Sequence, residues 1–154
     1  MLMNLMIGLP IMLVCLALQA AFTFWSVQFY MLQSGRMPPG RGLIAPIRPL
    51  LIVMIAMMLG NFIQIVIWGV LFICLGEFSD LYEAVYHSAV NFTSLGYGDV
   101  VMSARWKLMG PLEAANGVLM FGMTSAALMA ILQQLIRVQF EARRQNSHSG
   151  KDPH

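Results

Sequence analysis

Charge is what this sequence has least of. Only 9 of its 154 residues are Lys or Arg and 7 are Asp or Glu, 10% together, where a soluble globular domain carries about a quarter. With 58% hydrophobic residues, the composition excludes an ordinary water-soluble fold and reads as an integral membrane protein. The net charge of +2 comes from loops and the C-terminal tail, so there is no basic stripe for nucleic acid. Cysteine is nearly absent as well. Cys15 and Cys74 sit in separate apolar runs without CxxC or Cys/His spacing, which indicates neither a disulfide framework nor a zinc site. Both read as small buried hydrophobes. No nucleophile and base stand at motif spacing, and no phosphate loop or metal constellation is visible, so nothing points to an enzyme or a cofactor.

What is present is three long apolar runs. Residues 2–33 contain no charged side chain and exceed the ~20 residues a helix needs to cross the hydrocarbon core. A signal peptide is the competing reading, but the run has no Lys or Arg before it, and Leu18-Gln19-Ala20 is a poor cleavage site. We read it as a retained N-terminal span. Residues 34–49 break helix with Pro38, Pro39, Pro46 and Pro49 and carry Arg36, Arg41 and Arg48, a linker on the basic side of the membrane. A second span covers about 50–75, and a third runs from Pro111, a first-turn proline with Glu113 close behind, to about residue 136. Residues 137–154 hold Arg137, Arg143, Arg144 and Lys151 with no core-forming pattern, and read as a tail. Polar side chains inside the spans, among them Gln19, Asn61 and Gln64, suit hydrogen bonds between helices, with a place in a permeation path as the alternative for Asn61 and Gln64.

Between the second and third spans the chain turns polar. Asp80 followed by Glu83 is a capping pattern for a helix over 81–92, about 18 Å long and too short to span. It runs straight into Thr93-Ser94-Leu95-Gly96-Tyr97-Gly98-Asp99. Irregular backbone at membrane depth is tolerated only where protein buries it or it lines a water-filled path. Gly96 and Gly98 let alternate residues take positive φ, so that successive carbonyls face one side. Four such strands around an axis form oxygen cages that can replace the hydration shell of a cation. Tyr82, Tyr86 and His87 on the short helix read as packing around this strand.

The seven residues resemble the selectivity filter of potassium channels, usually Thr-Thr-Val-Gly-Tyr-Gly-Asp, with Ser94 for the second threonine and Leu95 for valine. Residues 116–128 are similar to the pore-lining helix of two-transmembrane bacterial potassium channels. Over about 50–136 the resemblance implies an all-α pore domain of outer helix, re-entrant pore helix, filter and inner helix, assembled as a homotetramer in the lipid bilayer. It implies K+ bound by Ser94, Leu95, Gly96 and Tyr97, with K+ a permeant ion and not a cofactor. It also implies a gating hinge at Gly117, with Gly122 as a second glycine, and a cavity near Thr124 and Ser125. Packing alone is the competing reading for both glycines, more so for Gly122. Met102 replaces a proline frequent in the family. No auxiliary subunit is deducible.

Orientation follows from the positive-inside rule, which uses none of the filter residues. Putting the basic linker and tail in the cytoplasm leaves the N-terminus and Asp99 outside, in a cell membrane crossed several times. The leading expectation is a potassium-selective channel subunit. A weakly selective monovalent cation channel and a membrane scaffold or transporter subunit are the alternatives, the first because Ser94 and Leu95 change the inner filter sites.

Overall fold

The computed structural model describes residues 1–34 and 47–149, and within them the chain forms four helices. They are α1 (Leu2–Ser34), α2 (Ile47–Cys74), α3 (Leu81–Phe92) and α4 (Met109–Ser149). Three are long and apolar enough to cross a membrane: Leu2–Gln33, Ile47–Cys74 and Met109–Phe140. The protein is thus an all-α, multi-pass membrane protein. Arg36, Arg41 and Lys151, three of the cations that set the expected orientation, lie outside the described residues, whereas Arg48 falls in the first turn of α2.

α2 stops where its sequence lets it. Gly76 takes φ +75°, Glu77 N–H donates to Phe72 O at 3.1 Å and Gly76 N–H to Ile73 O at 2.9 Å, a left-handed glycine cap. A short turn leads to Asp80, whose carboxylate accepts from Glu83 N–H at 3.3 Å and opens α3. α4 is longer than the third apolar run, because residues 137–149 contain no Gly or Pro and continue the helix to Ser149. The tail therefore starts as helix, not as irregular chain.

Two apolar clusters hold α1, α2 and α4 together. One joins Cys15, Ile65, Trp68, Phe72, Phe92, Trp106, Met109 and Met120, and the other joins Tyr30, Val53, Met57, Ala127 and Ile131. In each long helix, polar residues fall between the two clusters in sequence: Gln19 in α1, Asn61 and Gln64 in α2, Thr124 in α4. Trp106 is buried in the first cluster with Arg105 over its ring at 5.2 Å, so this aromatic packs inward. Cys15 is buried, but Cys74 is exposed at the end of α2, contrary to its reading as a core residue. Many Leu, Ile, Val and Met side chains of the three spans stay exposed, as surfaces facing hydrocarbon do.

Candidate functional site: the strand after the short helix

α3 ends at Thr93, and the way it ends sets the course of the strand beyond it. Thr93 N–H donates to Ala89 O at 3.1 Å, and its hydroxyl donates to the same carbonyl at 2.7 Å. Ser94 N–H donates to Asn91 O at 2.8 Å, Leu95 N–H to Val90 O at 2.9 Å, and Gly96 N–H to Val90 O at 3.4 Å. These bonds satisfy the last carbonyls of the helix. No peptide bond among the described residues is cis, so along the strand each N–H lies opposite the carbonyl of the preceding residue. With the N–H groups of 94, 95 and 96 turned back toward α3, the carbonyls of Thr93, Ser94 and Leu95 point away from it. Thr93 enters that row although its hydroxyl is committed to Ala89.

The strand keeps an alternating backbone. Ser94 has φ +57°, Gly96 +61° and Gly98 +72°. Two glycines were legible in sequence. Ser94 as a third left-handed residue was not, because a non-glycine there costs about 1–2 kcal/mol. Residues 93–99 are all exposed, with Leu95 at 54% and Tyr97 at 67%, so within one subunit these side chains are only partly covered.

Behind and after the strand the backbone is pinned. Tyr86 O–H donates to Asp99 Oδ2 at 2.6 Å, and Val100 N–H donates to Asp99 Oδ1 at 3.0 Å. The Tyr86 bond holds the Asp99 carboxyl below its ordinary value and raises the Tyr86 phenol. His87 Nδ1 lies 3.0 Å from Val100 O and its Nε2 lies 2.9 Å from Asn91 Nδ2, which fits a neutral ring donating at Nδ1 and accepting at Nε2. Burial lowers the His87 pKa below the usual 6.5. Glu77 grips the next loop, accepting from Ser103 N–H and Ser103 O–H, each at 2.6 Å. Between strand and helix lies a cavity of about 380 Å³ that Gly96, Gly98, His87 and Asn91 help to line.

α4 approaches this assembly through Gly117. A Cβ there would fall 2.7 Å from the carbonyl carbon and 3.1 Å from Cα of Phe92, and closer still to the Phe92 oxygen. A Cβ at Gly122 would meet nothing within 4 Å. Gly117 thus lets α4 pack directly on the Phe92 backbone, whereas Gly122 lies open within the subunit. Thr124 turns its hydroxyl to Gln19 and Asn61 of the other helices, while Ser125 is exposed. One turn before Gly117, Glu113 is buried against Ser88, whose hydroxyl also bonds Ile65 O at 2.7 Å. Sequence reading placed Tyr86 and His87 around the strand without their hydrogen-bond partners, and passed over the contacts of Glu77 and Glu113. An acid inside an apolar span was the one signal that could have flagged Glu113.

Residues 61–134 match a protein-family model described as ion channel. The match runs from α2 through α3 and the strand into α4, and leaves α1 outside. No curated protein and no solved structure matches the chain.

Proposed function

We infer, for a chain whose residues 61–134 match a family model described as ion channel, a potassium-selective pore subunit that conducts K+ passively through backbone carbonyls. The observation that carries this reading is the return of the N–H groups of Ser94, Leu95 and Gly96 to the end of α3, which frees a row of carbonyls on an exposed strand. The left-handed residues at 94, 96 and 98 support continuation of that row through Gly96 and Tyr97.

A single strand cannot enclose an ion, so the reading requires a ring of identical strands, and a homotetramer in the bilayer supplies four. The exposed Leu95 and Tyr97 then gain neighbours at the subunit contacts. K+ enters past Asp99, whose depressed pKa keeps it anionic, and exchanges water for the carbonyls of Ser94, Leu95, Gly96 and Tyr97 and the Ser94 hydroxyl. Repulsion between ions in adjacent sites moves them on. Covalent chemistry has no part in this cycle. Asp99 lies at the outer mouth, the N-terminus lies outside, and the C-terminal end of α4 reaches the cytoplasm of a cell membrane.

Gating bends α4 across the segment 117–122. Gly117 stays seated on Phe92, so the helix beyond Gly122 is the part that moves, and it carries Thr124 and Ser125 at the cavity below the filter. A weakly selective cation pore is the second reading, favoured by the exposed, loosely held Leu95 where the family pattern has valine. Gly96→Ala tests the filter itself. A Cβ at 96 has space, with nothing within 4 Å, so the lesion is confined to a left-handed backbone of φ +61°. Loss of K+ current in correctly assembled Gly96→Ala protein is the expected result, and wild-type current would remove the strand from the ion path.

A further inference from the structure

Gln19 belongs to α1, the helix that lies outside the segment matched to the ion channel family, yet its side chain is fully buried. Both ends of its amide are used. Oε1 accepts from Gln64 Nε2 at 2.8 Å, and Nε2 donates to Thr124 Oγ1 at 2.9 Å. The same Thr124 oxygen accepts from Asn61 Nδ2 at 3.4 Å. Three amides from α1 and α2 thus converge, directly or through Gln19, on one hydroxyl of α4. In hydrocarbon an amide has few other partners, which gives this seam its directionality.

Its position along α4 is the informative part. α1 also meets α4 near its start, where a Cβ at Gly8 would fall 2.6 Å from Leu112 Cδ1 and 3.3 Å from Met109 Sδ. Leu112 precedes Gly117 and Thr124 follows Gly122. α1 therefore touches α4 on both sides of its two glycines, like a splint laid across a joint. Any bend between 117 and 122 carries Thr124 away from partners that are fixed to the part of the molecule that does not bend.

We propose that Gln19 is a positioning residue for the inner helix, and that α1 is a built-in brace holding α4 unbent through the hydroxyl of Thr124. The proposal rests on the reading of α4 as the gating helix of a cation pore. α4 is one uninterrupted helix in this structure, so the brace favours the closed form and its loss favours opening.

Single-channel recording of the full chain tests it. Gln19→Leu and Thr124→Val each raise the open-to-closed ratio, by roughly three- to twenty-fold for a membrane hydrogen bond of ordinary strength. The double variant shows no more than the larger single effect, because both substitutions break the same bond. Thr124→Ser keeps the hydroxyl and should hold the open-to-closed ratio near that of wild type, and Gln19→Leu, a change in α1 and not in the filter or cavity, leaves the reversal potential where it was. Thermal unfolding of the same proteins separates positioning from stability. If Gln19→Leu lowers the melting temperature while leaving the open-to-closed ratio at the wild-type value, the bond is only structural and the proposal fails. It fails too if the ratio falls, or if the two single effects add. A wild-type chain that carries no cation current at all defeats the pore reading itself, and the brace with it, whereas an unchanged ratio in a conducting channel defeats the brace alone.

Discussion

Gly117→Ala is the substitution for which the structure gives the sharpest expectation. The added methyl would sit 2.7 Å from the carbonyl carbon of Phe92 and 3.1 Å from its Cα. Ordinary carbon contacts lie at about 3.5–4.0 Å, so α3 and α4 must part by roughly 1 Å. Neither side can give by rotating a side chain, since the obstacle is backbone. Phe92 itself is fully buried and stacks edge-on against Phe121 at 5.6 Å, which resists the shift. Overpacking of this kind costs about 1–3 kcal/mol, and backbone against backbone belongs at the upper end. The better helix propensity of Ala returns at most about 1 kcal/mol. Thermal unfolding of the purified protein should therefore fall by several degrees relative to wild type. Gly122→Ala, with nothing within 4 Å inside the subunit, is the control and should not lose stability. Because Phe92 leads directly into Thr93 and the carbonyl row, Gly117→Ala should also disturb conduction in whatever protein assembles. A melting temperature for Gly117→Ala equal to or above that of wild type would refute the close approach of α4 to the end of α3.

Three further outcomes concern the groups that pin the strand. Tyr86→Phe removes the 2.6 Å bond to Asp99, the largest cause of its lowered pKa, so the Asp99 carboxyl should titrate higher in the variant than in the wild type. Single-channel conductance against external pH reads that shift as an upward move of the acid inflection in the variant. His87 is held neutral in the folded chain with its pKa below 6.5, so the unfolded state takes up a proton first as pH falls. Stability should then be full above 6.5 and be lost as pH drops from 6.5 through the folded pKa, a slope that His87→Gln should flatten when melting is followed against pH. Ser103→Ala removes one of the two bonds to the half-buried Glu77 and should cost about 0.5–1 kcal/mol, with the Glu77→Gln variant losing a similar amount in the same melting assay.

The bounds of α3 were readable because every signal there is local. Asp80 and Glu83 mark its start, and Thr93 with the glycines at 96 and 98 marks its end, so propensity and turn chemistry agree. The three spans were readable for the same reason, since length and apolar content suffice. What could not be read is which helix faces which. Gln19, Asn61 and Gln64 announce interhelical bonds, but nothing in their spacing says that Gln19 reaches Thr124 from a helix more than a hundred residues away. The two glycines of α4 show the limit most clearly, because a glycine that permits bending and one that permits contact look alike until Phe92 is in place beside Gly117. Ser94 was hidden by a different cause: the bonds from its own N–H and that of Leu95 back to Asn91 and Val90 close the end of α3 as a local cap, and they hold a non-glycine at the left-handed position where glycine is usual. Cys74 was misjudged because an exposed residue in a bilayer can be as apolar as a buried one, and composition alone does not separate lipid-facing from core positions.

The reversal potential of purified protein in a planar bilayer, with K+ on one side and Na+ on the other, tests the central claim most directly. The carbonyl row predicts a reversal far toward the K+ equilibrium value, with the current abolished by Gly96→Ala. A reversal near zero, or a current that survives Gly96→Ala unchanged, would contradict it.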